Sequence, residues 1–111
     1  MKKALVVPFL AALLAAGTSA AAQTEPEFVI VIENHRFTPS EITVPAAQKI
    51  KLVVDNRDKT AEEFESKSLK REKVIPGGTK ATIVIGPLKP GSYEFVGEYN
   101  EKTARGRIVA K

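Results

Sequence analysis

Apolar and polar residues alternate in short blocks along most of this chain, and proline, glycine or polar clusters separate the blocks at intervals of about ten residues. Phe28 to Ile32 is apolar at every position, as in a strand covered on both faces. Phe37, Ile42 and Val44 follow, interrupted by Pro39 and closed by a turn at Pro45 to Gln48. Lys49 to Asp55 alternates, with Ile50, Leu52 and Val54 on one face and Lys49 and Lys51 on the other, the pattern of a half-buried strand. Asn56 to Ala61 is polar and reads as a loop. Glu62 to Lys73 is charged and admits either a short helix or an irregular edge strand. An extended segment with Phe64, Leu69 and Val74 turned inward fits it best.

Pro76-Gly77-Gly78 marks a turn, and Thr79 to Ile85 a strand with Ala81, Ile83 and Ile85 on one face. Pro87 and Pro90-Gly91 make the next corner. Tyr93, Phe95 and Gly97 then alternate with Glu94, Val96 and Glu98, and a last strand spans Arg105 to Ala110. This predicts an all-β, Greek-key β-sandwich of about seven strands with no long helix. Phe28, Ile30, Ile32, Leu52, Val54, Ile83, Ile85, Tyr93, Phe95 and Ile108 should supply most of its core.

The N-terminus follows a different logic. Lys2 and Lys3 precede an apolar run from Ala4 to Ala16, and Ala20-Ala21-Ala22 offers a small-residue cleavage site. This is the layout of a secretory signal peptide over 1–22, cut before Gln23. The apolar run is about 13 residues, short of the roughly 20 that span a bilayer, and it contains Pro8. No membrane insertion is expected after cleavage. Residues 23–26 form a short leader and 27–111 a single domain, so a periplasmic, exported protein is expected.

The formal net charge of +4 falls by the two signal-peptide lysines, Lys2 and Lys3, to +2 in the processed chain. Charges of both signs are interspersed, so nothing calls for a nucleic-acid partner. There is no cysteine, hence no disulfide.

Several segments resemble a known family. Phe37-x-Pro39-x-x-Ile42-x-Val44-Pro45-Ala46, Leu52-x-Val54-x-Asn56, Pro90-Gly91-Ser92-Tyr93-x-Phe95 and Gly106-x-Ile108-x-Ala110 resemble, in order and spacing, the strands of bacterial cupredoxin-like domains. The resemblance implies the places where relatives hold copper. A His a few residues after the asparagine becomes Glu62 in Glu62-Glu63-Phe64. The Cys, second His and Met fall at or near Gly97, Asn100 and Ala104. A blue-copper site needs a Cys thiolate, two His and usually an axial Met. The single histidine is His35, read as an exposed turn residue, and the single methionine is Met1. No type-1 copper centre is therefore expected.

Glu62 to Ser66, Leu69 to Lys73, Ile85 to Leu88 and Gly97 to Tyr99 resemble one subgroup, the cupredoxin-like periplasmic component of bacterial iron-uptake systems built on a high-affinity permease. That resemblance implies iron handling, with copper as a second candidate ion, and two partners: the iron-uptake permease and a periplasmic metal-binding protein. Carboxylates suit such hard or borderline cations. Glu62, Glu63, Glu98 and Glu101 are the candidate ligands, from the two loops that relatives use. The competing reading is that they are solvated and paired with Lys70, Arg71 or Lys73. With one His and no Cys, no nucleophile–base constellation can be assembled, so a non-enzymatic role is expected. A ferrous oxidase using a bound metal and a metal-free periplasmic interaction module are the alternatives.

Overall fold

The computed structural model describes residues 25–111; the expected signal peptide and residues 23–24 of the leader lie outside them. Nine strands run in chain order: β1 Glu27–Glu33, β2 Arg36–Thr38, β3 Glu41–Val44, β4 Ile50–Asn56, β5 Glu62–Ser66, β6 Arg71–Ile75, β7 Lys80–Ile85, β8 Gly91–Gly97 and β9 Arg105–Ala110. One 3₁₀ turn, Glu98–Asn100, joins β8 to the last loop. The strands form two facing sheets ordered β2-β1-β4-β7 and β3-β9-β8-β5-β6. The β1–β4 and β3–β9 pairs are parallel and the others antiparallel.

Nine strands replace the expected seven because two segments each divide. Pro39 and Ser40 break the second apolar block, so β2 pairs with β1 while β3 crosses to the other sheet beside β9. A proline has no N–H to give a continuing ladder. The charged stretch after Ala61 is a regular hairpin rather than an irregular segment or a helix. Its turn at Lys67–Lys70 is held by Ser66 Oγ, which accepts the Leu69 N–H at 3.2 Å, while Lys70 takes a left-handed φ of 57°.

The core lies between the sheets. Ile30, Ile32, Leu52, Val54, Ile83, Ile85, Phe95 and Ile108 are buried as expected, and Phe28 and Tyr93 pack against them half-buried. Tyr93 donates its hydroxyl hydrogen to the Lys89 carbonyl at 2.7 Å, keeping its polar end at the surface. Phe37 and Phe64 are also buried and meet Phe95 in an aromatic cluster. Two expectations fail. β1 is not covered on both faces, since Val29 is 47% exposed. Val74 is not an inward anchor. It is also 47% exposed, and Ile75, fully buried, fills the core instead. The hairpin fixes this parity: Glu62 pairs with Ile75 and Glu63 with Val74, so Glu62 and Ile75 share the inward face.

Candidate functional site

Strand parity also separates the first two candidate ligands. Phe64 faces the core, so Glu62 and Ser66 face inward with it while Glu63 and Glu65 face out. Glu62 is only 2% exposed. A buried carboxylate needs donors, and three surround it. Oε1 accepts the N–H of Glu63 at 2.9 Å and of Tyr99 at 2.8 Å. Oε2 accepts the Asn100 side-chain amide at 2.7 Å. Behind the carboxylate lies the end of β8. A Cβ built on Gly97 would sit 2.6 Å from Glu62 Cδ and 2.7 Å from the Ala104 methyl. The four positions that resemble a copper-ligand set, 62, 97, 100 and 104, thus do converge at one end of the sandwich. They bring a carboxylate, a hydrogen atom, an amide and a methyl group.

The loop that carries them is pinned on both sides. Ala104 N–H donates to Asn100 O at 2.8 Å and Gly97 N–H to Ala104 O at 2.9 Å, closing a compact turn. Thr103 donates its hydroxyl hydrogen to the His35 carbonyl at 2.6 Å. His35 is an exposed turn residue, but it belongs to this end of the molecule. Asp58 accepts the backbone N–H groups of Asn34 and His35 at 2.8 and 2.9 Å, and the His35 ring approaches the same carboxylate at 3.5 Å. Asn56 is fully buried and organises the loop after β4, its amide donating to the Thr60 and Ile75 carbonyls and its oxygen accepting the Asp58 N–H.

On the outer face the carboxylates gather. Glu63, Glu72 and Glu98 each offer an oxygen within 4.8 Å of the other two. Glu65 stands directly opposite Glu72 in the β5–β6 ladder. The charge of Glu65, then that of Glu63, holds the Glu98 carboxyl above its ordinary value, and Glu72 adds to the effect. The expected lysine and arginine partners are engaged elsewhere or free: among the described residues, no ion pair involves Glu63, Glu65, Glu72 or Glu98. Arg71 instead donates to the carbonyls of Lys70 and Val84. Glu101 lies apart from the trio, 4.0 Å from Arg105, and lines an open groove with Glu65, Glu94 and Glu98.

Of the four predicted ligands, Glu63 and Glu98 therefore meet, Glu101 borders them, and Glu62 points the other way. Glu72 and Glu65 were missed. The period of two around Phe64 already placed Glu65 beside Glu63 on the outer face. Glu72 became visible only with the hairpin register.

Type-1 copper does not fit the interior cluster. The chain has no thiolate to give, the three available donor positions hold no imidazole or thioether, and both Glu62 oxygens are occupied by hydrogen bonds.

The profile of the cupredoxin-like domain matches residues 6–110. An uncharacterised protein of Rickettsia prowazekii (strain Madrid E), RP394, is 43% identical over 83 residues, covering 75% of this chain and 66% of that protein's length. Among solved structures, a chain of a heme-copper terminal oxidase dimer superposes with a TM-score of 0.65 at 15% identity, over 78% of this chain and 65% of its own. Auracyanin A, a "blue" copper protein from Chloroflexus aurantiacus, gives 0.65 at 14% identity, over 79% of this chain and all of its own. At such identities these structures speak for the fold alone.

Proposed function

This chain belongs to the cupredoxin-like domain family, and from that premise we propose that it is an exported, periplasmic member that handles iron for a high-affinity uptake permease, without a blue-copper electron-transfer centre. The observation that carries the cation-handling part is the meeting of Glu63, Glu72 and Glu98. Oxygens each about 2.0–2.6 Å from one ion lie at most about 5 Å apart, so the trio suits a single hard cation bound through oxygen. An ion there would relieve the repulsion among these carboxylates that raises the Glu98 pKa. The choice of iron, of the permease and of a periplasmic metal-binding partner rests on the resemblance of Glu62–Ser66 and Gly97–Tyr99 to that subgroup.

Calorimetric titration with Mn(II), Cu(II) and anaerobic Fe(II) tests the reading. One site is expected, weakened by Glu63→Gln and lost in Glu63→Gln/Glu98→Gln. Binding that ignores the double variant removes these residues from the site. Aerobic consumption of Fe(II) by the purified protein would move the reading to a ferrous oxidase. Export is read from the mature N-terminus, which should begin at Gln23.

A second reading is favoured by the interior. Glu62 needs no ion, because hydrogen bonds already satisfy it. A protein that binds no cation in any of these titrations is a metal-free interaction module.

A further inference from the structure

We propose that the buried Glu62 carboxylate is itself the tie between the two loops at this end of the sandwich, and that it closes the interior position to metal. A coordinated ion joins loops by drawing several donors onto one centre. Here one carboxylate does the same with three N–H groups. Two belong to the 3₁₀ turn, the Tyr99 backbone and the Asn100 side chain, and one to β5 itself, at Glu63. The polarity suits only an acceptor. An ionised carboxylate has acceptor sites and no proton to donate, and all three partners are donors. A glutamine at position 62 would turn an NH₂ group toward at least one of them.

The surrounding residues leave nothing else room. Gly97 is the one residue without a side chain, and even a Cβ there would overlap Glu62 Cδ and the Ala104 methyl. Ala104 is fully buried and Ile75, opposite Glu62 in the hairpin, is fully buried too. An ion entering at this point would have to displace the Tyr99 N–H and turn the Asn100 amide about, and would find no thiolate, imidazole or thioether, only the carboxylate and that amide oxygen in return. The consequence is a loop fixed in one shape without a cofactor. Tyr99, 54% exposed, and Glu98 are thereby held on a rigid turn rather than on a loop that a metal would order.

Amide hydrogen exchange and NMR titration of the full processed chain test this. In the wild type the Tyr99 N–H should be protected. In Glu62→Gln its exchange should accelerate by about fivefold, because the Tyr99 N–H then has at best a neutral amide oxygen as acceptor and one of the three donors faces an NH₂ group, while core amides such as those of Leu52 and Ile108 change less. Cu(I), a soft ion with little affinity for the outer carboxylates, should leave the Ala104 methyl and the Asn100 side-chain amide signals of the wild type where they are. Unchanged Tyr99 exchange in Glu62→Gln overturns the tie. Saturable Cu(I) shifts at Ala104 and Asn100 overturn the closure. If Glu62→Gln does not fold, Asn100→Ala, which removes one donor at the surface end, takes its place: faster exchange through the 3₁₀ turn supports the tie, and no change sinks it. Neither result depends on whether the outer trio binds iron.

Discussion

Gly106 lies against the ring of Phe95. A Cβ at position 106 would fall 2.5 Å from Phe95 Cζ and 2.6 Å from the Ser40 carbonyl oxygen. The two residues face each other across β8 and β9, so the absent side chain on one strand makes room for the ring on the other. That ring stacks on Phe64 at 5.0 Å and takes the edge of Phe37 at 4.9 Å. Three elements from both sheets thus meet at one aromatic contact.

Phe95→Ala should cost about 3–5 kcal/mol, the range for emptying a buried aromatic site. Gly106→Ala should also destabilise, by overpacking of about 1–3 kcal/mol, because the Ser40 backbone cannot retreat as a flexible side chain would. Denaturant unfolding of both variants checks this. A Gly106→Ala protein as stable as the wild type would mean that the ring has another place to go.

Much of this arrangement is legible in the sequence. Alternation located Leu52, Val54, Ile83, Ile85 and Phe95 on inward faces because strand parity is a local property. The same parity rule, applied to Phe64, puts Glu62 inside and Glu63 outside. Treating the two glutamates as one acidic pair missed this. The position of Val74 could not be read locally. It depends on how many residues the Lys67–Lys70 turn consumes, and one residue more or less exchanges Val74 for Ile75. Glu72 was hidden for the same reason. The hydrogen bonds of Glu62 to Tyr99 and Asn100 join residues 37 and 38 positions apart, so only the folded chain brings them together.

Asp58 fastens a second joint. Asn34 and His35 both have left-handed backbones, with φ of 55° and 57°, and their N–H groups converge on the Asp58 carboxylate. Asp58→Ala should cost about 1–3 kcal/mol, since two hydrogen bonds to a charged acceptor disappear while water replaces them only in part. Asp58→Asn should cost less, because one oxygen remains to accept. Thermal unfolding of the pair checks the order. Equal losses would assign the effect to packing rather than to the carboxylate.

Copper offers a spectroscopic check. The strong visible absorption of a blue-copper protein comes from thiolate-to-copper charge transfer, and this chain has no cysteine. Cu(II) bound at the outer trio should therefore give only the weak absorption and tetragonal paramagnetic resonance of an oxygen-ligated ion. Glu63→Gln/Glu98→Gln should abolish that resonance, whereas Glu62→Gln, which loosens the turn that carries Glu98 but removes no ligand of the trio, should weaken binding without abolishing the signal. A signal that survives the first double variant belongs to another site.

Glu98 sets the pH dependence of the outer face. Glu65 most strongly, then Glu63 and Glu72, raise its folded-state pKa above the ordinary carboxylate value. Between the unfolded and folded values the folded chain therefore holds more protons than the unfolded one. Stability in that interval must fall as pH rises, the opposite of a salt-bridged carboxylate. Glu98→Gln removes both the repulsion and the titration. Its melting temperature should equal or exceed that of the wild type at neutral pH in low salt, and its stability should change less with pH across the interval. Added salt should shrink the difference, because the charges are solvent-exposed and screened. A variant that melts below the wild type at neutral pH and low salt would show that an attractive contact, rather than repulsion among the carboxylates, dominates at Glu98.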